Sequence, residues 1–169
     1  MVIEFGHNDG GSPNSASDNG RSDCPGTGDE VCISGKTGET VYTFNKYITD
    51  AAKAYVAKGA KVIVSSQTPN NQWEGGVYSD AAPRFVGYAK TVGEGVGEGV
   101  WYVDHFAAVS KAFKKLGDAA TNELYPKDHT HTSPEGARLA ANAFAQAVKQ
   151  GEGDNPLKGL VRGDIELVY

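Results

Sequence analysis

Several things are scarce in this sequence, and each scarcity excludes a class of protein. No run of about 18 apolar residues occurs, so nothing reads as a membrane-spanning helix. The start, Met1-Val2-Ile3-Glu4, has neither the basic region nor the long apolar stretch of a signal peptide. Lys and Arg number 16 against 21 Asp and Glu, a net charge of −5. With no basic stripe or aromatic-basic patch, that balance argues against nucleic acid as a partner. Two cysteines in 169 residues are too few for a disulfide-built scaffold. Cys24 and Cys32 nevertheless lie close together in a loop rich in Gly, Asp and Ser, where a local bridge and a pair of free thiols are both open readings. A bridge closing so short a loop would stabilise the fold by roughly 2.5 kcal/mol in the chain-entropy model.

What is present suffices for one ordinary domain: 39% of residues are hydrophobic and 22% charged. Val2–Phe5, Ala60–Ser66 and Val100–Val103 read as short buried strands. Helical spacing separates them. Val41, Phe44, Ile48, Ala51, Ala52 and Tyr55 form one stripe, with Asn45, Lys46, Thr49 and Lys53 opposite and Gly59 as a stop. Pro83 opens a shorter helix through Phe85, Tyr88, Ala89 and Val92, which the glycines of the repeat from Val92 to Gly99 should fray or end. Phe106, Val109, Phe113 and Leu116 mark another helix, closed by Gly117. Strands alternating with helices predict a three-layer α/β/α fold with a parallel sheet. Ser12 to Glu39 carries almost no apolar periodicity and is expected to be a loop.

The chemistry gathers in Tyr125-Pro126-Lys127-Asp128-His129-Thr130-His131-Thr132-Ser133-Pro134-Glu135-Gly136. Ser133 suits an N-cap and Pro134 a first helical position, and Ala137, Ala140, Ala141, Phe144, Ala147 and Val148 then fall on one stripe. Asp128 and His131, three apart on the loop feeding that helix, can face each other so that the carboxylate holds Nδ1 and leaves Nε2 free as a base. Two other readings stand beside this one: a polar loop that merely caps the helix, and a metal site from Asp128, His129 and His131. The metal site lacks a further Cys/His cluster to complete it. His105, at the end of the third strand, is a possible cleft residue. At the other end of the chain Val2–Phe5 runs into Gly6-His7-Asn8-Asp9-Gly10-Gly11, a polar turn at the carboxyl end of a strand, where ligands bind in open parallel sheets. There Asn8 can present its amide N–H to a developing oxyanion. Trp73, with Asn70 on the same loop, is a candidate for substrate contact by stacking; a hydrophobic plug is an equal reading of Trp73. Arg21 and Lys36 read as solvated surface charge before anion ligands.

The chain resembles the SGNH (GDSL-type) hydrolases, and within them the fungal rhamnogalacturonan acetylesterases. The resemblance rests on Phe5 to Gly11, the Cys24 to Cys32 loop, Ser65 to Asn71, Tyr102 to His105 and Asp128 to Pro134, and extends to about Lys149. It implies Asn8 as side-chain oxyanion donor, Asp128 as orienting acid and His131 as general base. It further implies removal of acetyl groups from pectic rhamnogalacturonan by serine acyl transfer, with no cofactor and no metal, by a secreted monomer whose partner is an acidic polysaccharide. It favours the Cys24–Cys32 bridge and, with it, an oxidising compartment. One departure is large. Gly-Asp occurs at Gly28-Asp29, Gly117-Asp118, Gly153-Asp154 and Gly163-Asp164, followed by Glu30, Ala119, Asn155 and Ile165, so the Gly-Asp-Ser that carries the family's nucleophile is missing. The block that supplies a glycine N–H to the oxyanion hole is missing too. The expectation is an N-terminally truncated member lacking the first two strands and inactive as it stands. The alternative is a non-catalytic carbohydrate-binding remnant. Ser65 and Ser66 end a strand but sit in no nucleophile-elbow pattern.

Overall fold

The computed structural model describes residues 1–151 and 155–169; the Gly153-Asp154 pair lies outside them. The chain divides into two compact units, Met1–Gln67 with Arg84–Tyr102, and Thr68–Pro83 with Val103–Tyr169.

In the first unit β1 (Val2–Glu4) is followed by a short antiparallel ribbon of β2 (Val31–Ile33) and β3 (Thr40–Tyr42). This ribbon corrects the expectation of an irregular loop up to Glu39. Its strands are three residues long, and Val31 and Ile33 face solvent while Cys32 turns inward, too short an alternation to stand out in a polar segment. Cys24 and Cys32 are joined by a disulfide.

Thr43 caps α1 (Phe44–Val56) by accepting from the Lys46 N–H at 3.1 Å. Phe44, Ile48 and Ala52, four residues apart in turn, are its buried stripe. Val41, expected on that stripe, belongs to β3, and Tyr55 is on the outer face. Asn45 is buried instead, its amide donating to the Thr27 carbonyl at 3.2 Å. β4 (Val62–Ser65) is buried at every position, which is why its sequence shows a continuous apolar run with no alternation. It pairs in parallel with β1, Ile3 opposite Val64, and lies between β1 and β5 in the sheet.

α2 (Arg84–Gly95) continues past Gly93 before the glycine repeat ends it. Gly93 is there for packing: a Cβ would stand 2.9 Å from Tyr102 Cβ and 3.0 Å from its Cα. β5 (Val100–Val103) completes the sheet. Ile3, Phe44, Ile48, Val62, Val64 and Phe85 are central to the core of this unit. At the rim, β1 is thinner than its sequence suggests, with only Ile3 buried and Phe5 beyond the strand and exposed.

In the second unit Asp104 caps α3 (His105–Leu116), accepting from the Ala107 N–H at 2.9 Å. Phe106, Val109 and Phe113 are buried as their spacing predicts; Leu116 is exposed. A short polar helix α4 (Asp118–Glu123) follows, unannounced by any stripe. α5 (Pro134–Gln150) starts as read, with the Ser133 hydroxyl accepting from the Gly136 N–H at 3.2 Å. Its inward face is rotated from the predicted one: Gly136, Ala143, Gln146 and Val148 are buried, whereas Ala137 and Ala141 face out. Alanine is small enough to be tolerated on either side, so the pattern was ambiguous. Gln146 fastens the C-terminal tail, accepting from the Val168 N–H at 2.8 Å and donating to the Tyr169 carbonyl at 2.9 Å.

Parallel sheet and helices together are the α/β class expected. No helix among the described residues is long and apolar enough to cross a membrane.

Candidate active site

The segment between α4 and α5 is a closed loop, because the Ser133 N–H donates to the Leu124 carbonyl at 2.7 Å and brings its two ends together. Gly136 permits that closure: a Cβ there would lie 2.8 Å from Thr132 Cβ and 3.2 Å from Leu124 Cβ. A second loop braces the first. The buried Tyr125 hydroxyl donates to the Pro69 carbonyl at 3.0 Å, and the Asn71 N–H donates to the His129 carbonyl at 2.8 Å. Burial raises the Tyr125 phenol far above its ordinary pKa, so it serves there as a neutral donor.

On this loop His131 Nδ1 lies 2.8 Å from Asp128 Oδ2. The other carboxylate oxygen accepts from the backbone N–H groups of Thr130 and His131, each at 2.7 Å. The His131 N–H, the imidazole and the Thr130 N–H together hold the Asp128 carboxyl well below the usual carboxylate range. An ionised carboxylate only accepts, so Nδ1 carries the proton in this contact and Nε2 keeps its lone pair. The His131 side chain is 79% exposed, so that lone pair is open to a reactant. The arrangement is chemically a base with its orienting acid.

The neighbouring candidates are turned to other tasks. His129 Nδ1 faces Glu74 at 3.5 Å, and no group of three His, Cys, Asp or Glu able to hold a metal occurs among the described residues. His105 is buried, its Nε2 2.9 Å from the Ala140 carbonyl and its ring against Phe144, an internal tie between α3 and α5. Trp73 donates from Nε1 to the Phe113 carbonyl at 2.9 Å and packs on the cluster of Val109, Phe113 and Tyr125. Asn70, on the same loop, is exposed.

In the first unit Asn8 sits exposed in the turn after β1. Gly6 makes that turn possible: its φ is +139° and a Cβ would fall 2.0 Å from Gln67 Oε1. The Gly6 N–H donates to Asp9 Oδ2 at 2.9 Å, folding the turn onto itself. Asn8 is on the wall of a cavity of about 480 Å³ that also has Phe5, His7, Asp9, Arg21 and Gln67 on its walls. Arg21 and Lys36 are both exposed, and Ser65 and Ser66 are fully buried. Sequence reasoning overlooked Asn71 and Tyr125, whose partners are distant in the chain, and Asp9, which bonds to Gly6 within its own turn. Only the Asn-Asp pair at the end of a strand offered a signal, for Asp9.

A carboxylate–histidine pair on the loop before α5 is the base-and-acid arrangement of a candidate hydrolase. Comparison with known proteins makes this specific. The chain is 53% identical over 150 residues, 88% of its length, to a curated protein named rhamnogalacturonan acetylesterase from Emericella nidulans, and it spans 60% of that enzyme's length. At that identity the chain is a close relative of that protein over the part that matches. No family model matches the chain.

Proposed function

We propose that the chain is part of a secreted carbohydrate esterase that removes acetyl groups from pectic rhamnogalacturonan by serine acyl transfer. The observation that carries the reading is the 2.8 Å contact between His131 Nδ1 and an ionised Asp128, which leaves Nε2 as a base. The relative's name gives the substrate class, and the Cys24–Cys32 bridge suits an oxidising compartment. The nucleophilic serine belongs, in this reading, to a segment outside these residues, since no Gly-Asp-Ser occurs in them.

The serine hydroxyl attacks the acetyl carbonyl while His131 Nε2 takes its proton. Asp128 remains ionised and stabilises the imidazolium, and the Asn8 amide donates to the tetrahedral oxyanion. Collapse expels the sugar oxygen, which takes the proton from His131. Water then attacks the acyl-serine with His131 again as base, releasing acetate. No cofactor takes part, and the complete enzyme works as a monomer.

Acetate release from acetylated rhamnogalacturonan tests this, with residues 1–169 beside a form extended to include a Gly-Asp-Ser segment. The extended form should be active and the shorter one silent, because removing a triad nucleophile costs roughly 10⁶-fold in kcat. Comparable rates from both would place the nucleophile within these residues. An extended form that binds the polysaccharide and never hydrolyses it would favour a binding remnant.

A further inference from the structure

We propose that Asp23 is a positioning residue for Asn8, held by the Cys24–Cys32 bridge on one side and by Arg84 on the other. The proposal rests on the reading of Asn8 as the oxyanion donor. The turn carrying Asn8 is folded by an internal bond, Gly6 N–H to Asp9 Oδ2 at 2.9 Å. From outside, the Asp23 N–H donates to the Asp9 carbonyl at 2.7 Å, one residue past Asn8. The two segments approach closely enough that a Cβ on Gly11 would lie 2.0 Å from Ser22 Oγ.

Asp23 is itself immobilised. Its side chain is 2% exposed, and Oδ1 accepts from Arg84 Nη2, on α2, at 3.3 Å. The Arg84 guanidinium in turn lies 4.5 Å from the centre of the Phe85 ring. The next residue, Cys24, is buried, bridged to Cys32 in β2, and donates its N–H to the Tyr42 carbonyl at 2.9 Å. The disulfide-closed ribbon and α2 therefore grip the segment whose backbone pins the Asn8 turn.

An oxyanion donor acts through preorganisation, and a displacement of about 1 Å is enough to forfeit about a hundredfold in rate. Reduction of the bridge frees Cys24 from β2 and should loosen the turn, so the thiol state of a loop outside the chemistry sets the aim of Asn8.

The test needs no substrate: amide hydrogen exchange at Gly6 and Asp23 in the native chain, in the double variant Cys24→Ala/Cys32→Ser, in Arg84→Ala and in Arg84→Lys. Exchange at these two amides should quicken about tenfold in the double variant and in Arg84→Ala and return toward native in Arg84→Lys, while Ile63 and Val64 in β4 keep their rates. Native rates at Gly6 and Asp23 in the double variant, or equal acceleration at Ile63 and Val64, would overturn the clamp. In an acetate-releasing extended form, Arg84→Ala should lower kcat about tenfold with KM unchanged. A loosened turn with unaltered kcat would refute the role of Asn8 while leaving the clamp standing.

Discussion

Two histidines two residues apart on one loop face different carboxylates at different ranges. His131 meets Asp128 at 2.8 Å and His129 meets Glu74 at 3.5 Å. In the nucleophile-bearing form His131→Ala should therefore abolish acetate release, whereas His129→Ala should be milder; the opposite order would reassign the base. Asn8→Ala should lower kcat by about 10²- to 10³-fold with little change in KM, because its amide serves the oxyanion more than the ground-state carbonyl. A change mainly in KM would make Asn8 a binding residue. Asp128 also governs acid behaviour. Its pKa is depressed in the fold, so its contribution to stability is complete above the unfolded value near 3.9 and is lost as pH falls from there through the folded value. Amide signals of Thr130 and His131 should show a titration step from the Asp128 carboxylate only below about pH 4. No titration step in these signals below pH 4 would mean that the carboxylate does not hold them.

Among the elements, α2 contains three glycines, of which Gly87 and Gly93 have opposite expected effects. At Gly93 a side chain meets Tyr102 at 2.9 Å, and at Gly87 it meets nothing within 4 Å. Gly93→Val should cost about 2 kcal/mol by overpacking, while Gly87→Ala should stabilise by about 0.5 to 1 kcal/mol through helix propensity and a stiffer unfolded chain. Denaturant titration of the two variants reads both signs, and a stabilising Gly93→Val would disprove the close approach. The last two residues of the tail are bonded to the buried Gln146 amide. Gln146→Ala leaves the Val168 N–H and Tyr169 carbonyl without partners, and should destabilise by about 2 kcal/mol and free the last residues to proteolysis. An intact, protease-resistant tail in that variant would show that the apolar contacts of Val168 and Tyr169 suffice.

For the whole molecule, β1 is an edge of the sheet, and Met1, Val2 and Phe5 are exposed beside it. An open edge with apolar neighbours invites strand pairing between copies. Residues 1–169 should accordingly self-associate as concentration rises, and Val2→Lys should suppress this in light scattering. Association equally strong in the lysine variant would locate the contact elsewhere.

The sequence by itself determined the α/β class, the three strands of the sheet, the start of α5 and the Asp128–His131 pairing, because each depends on neighbours within a few residues: a periodic run, a cap, a three-residue spacing on a loop. Burial direction was less legible wherever side chains are small or mixed, as at Ala137 and Ala141, or where an aromatic residue such as Tyr55 can satisfy a stripe and still face water. The β2–β3 ribbon escaped notice because three-residue strands have almost no period to read. Tertiary structure alone decided that His105 ties α3 to α5, that Trp73 packs under its loop by bonding to Phe113, and that Asn71 and Tyr125 brace the loop carrying His131. It also decided that Gln146 holds the tail and that Asp23 reaches the turn of Asn8. Each of these contacts joins residues separated by many positions, and a hydrogen bond between them exists only after the intervening chain has folded back.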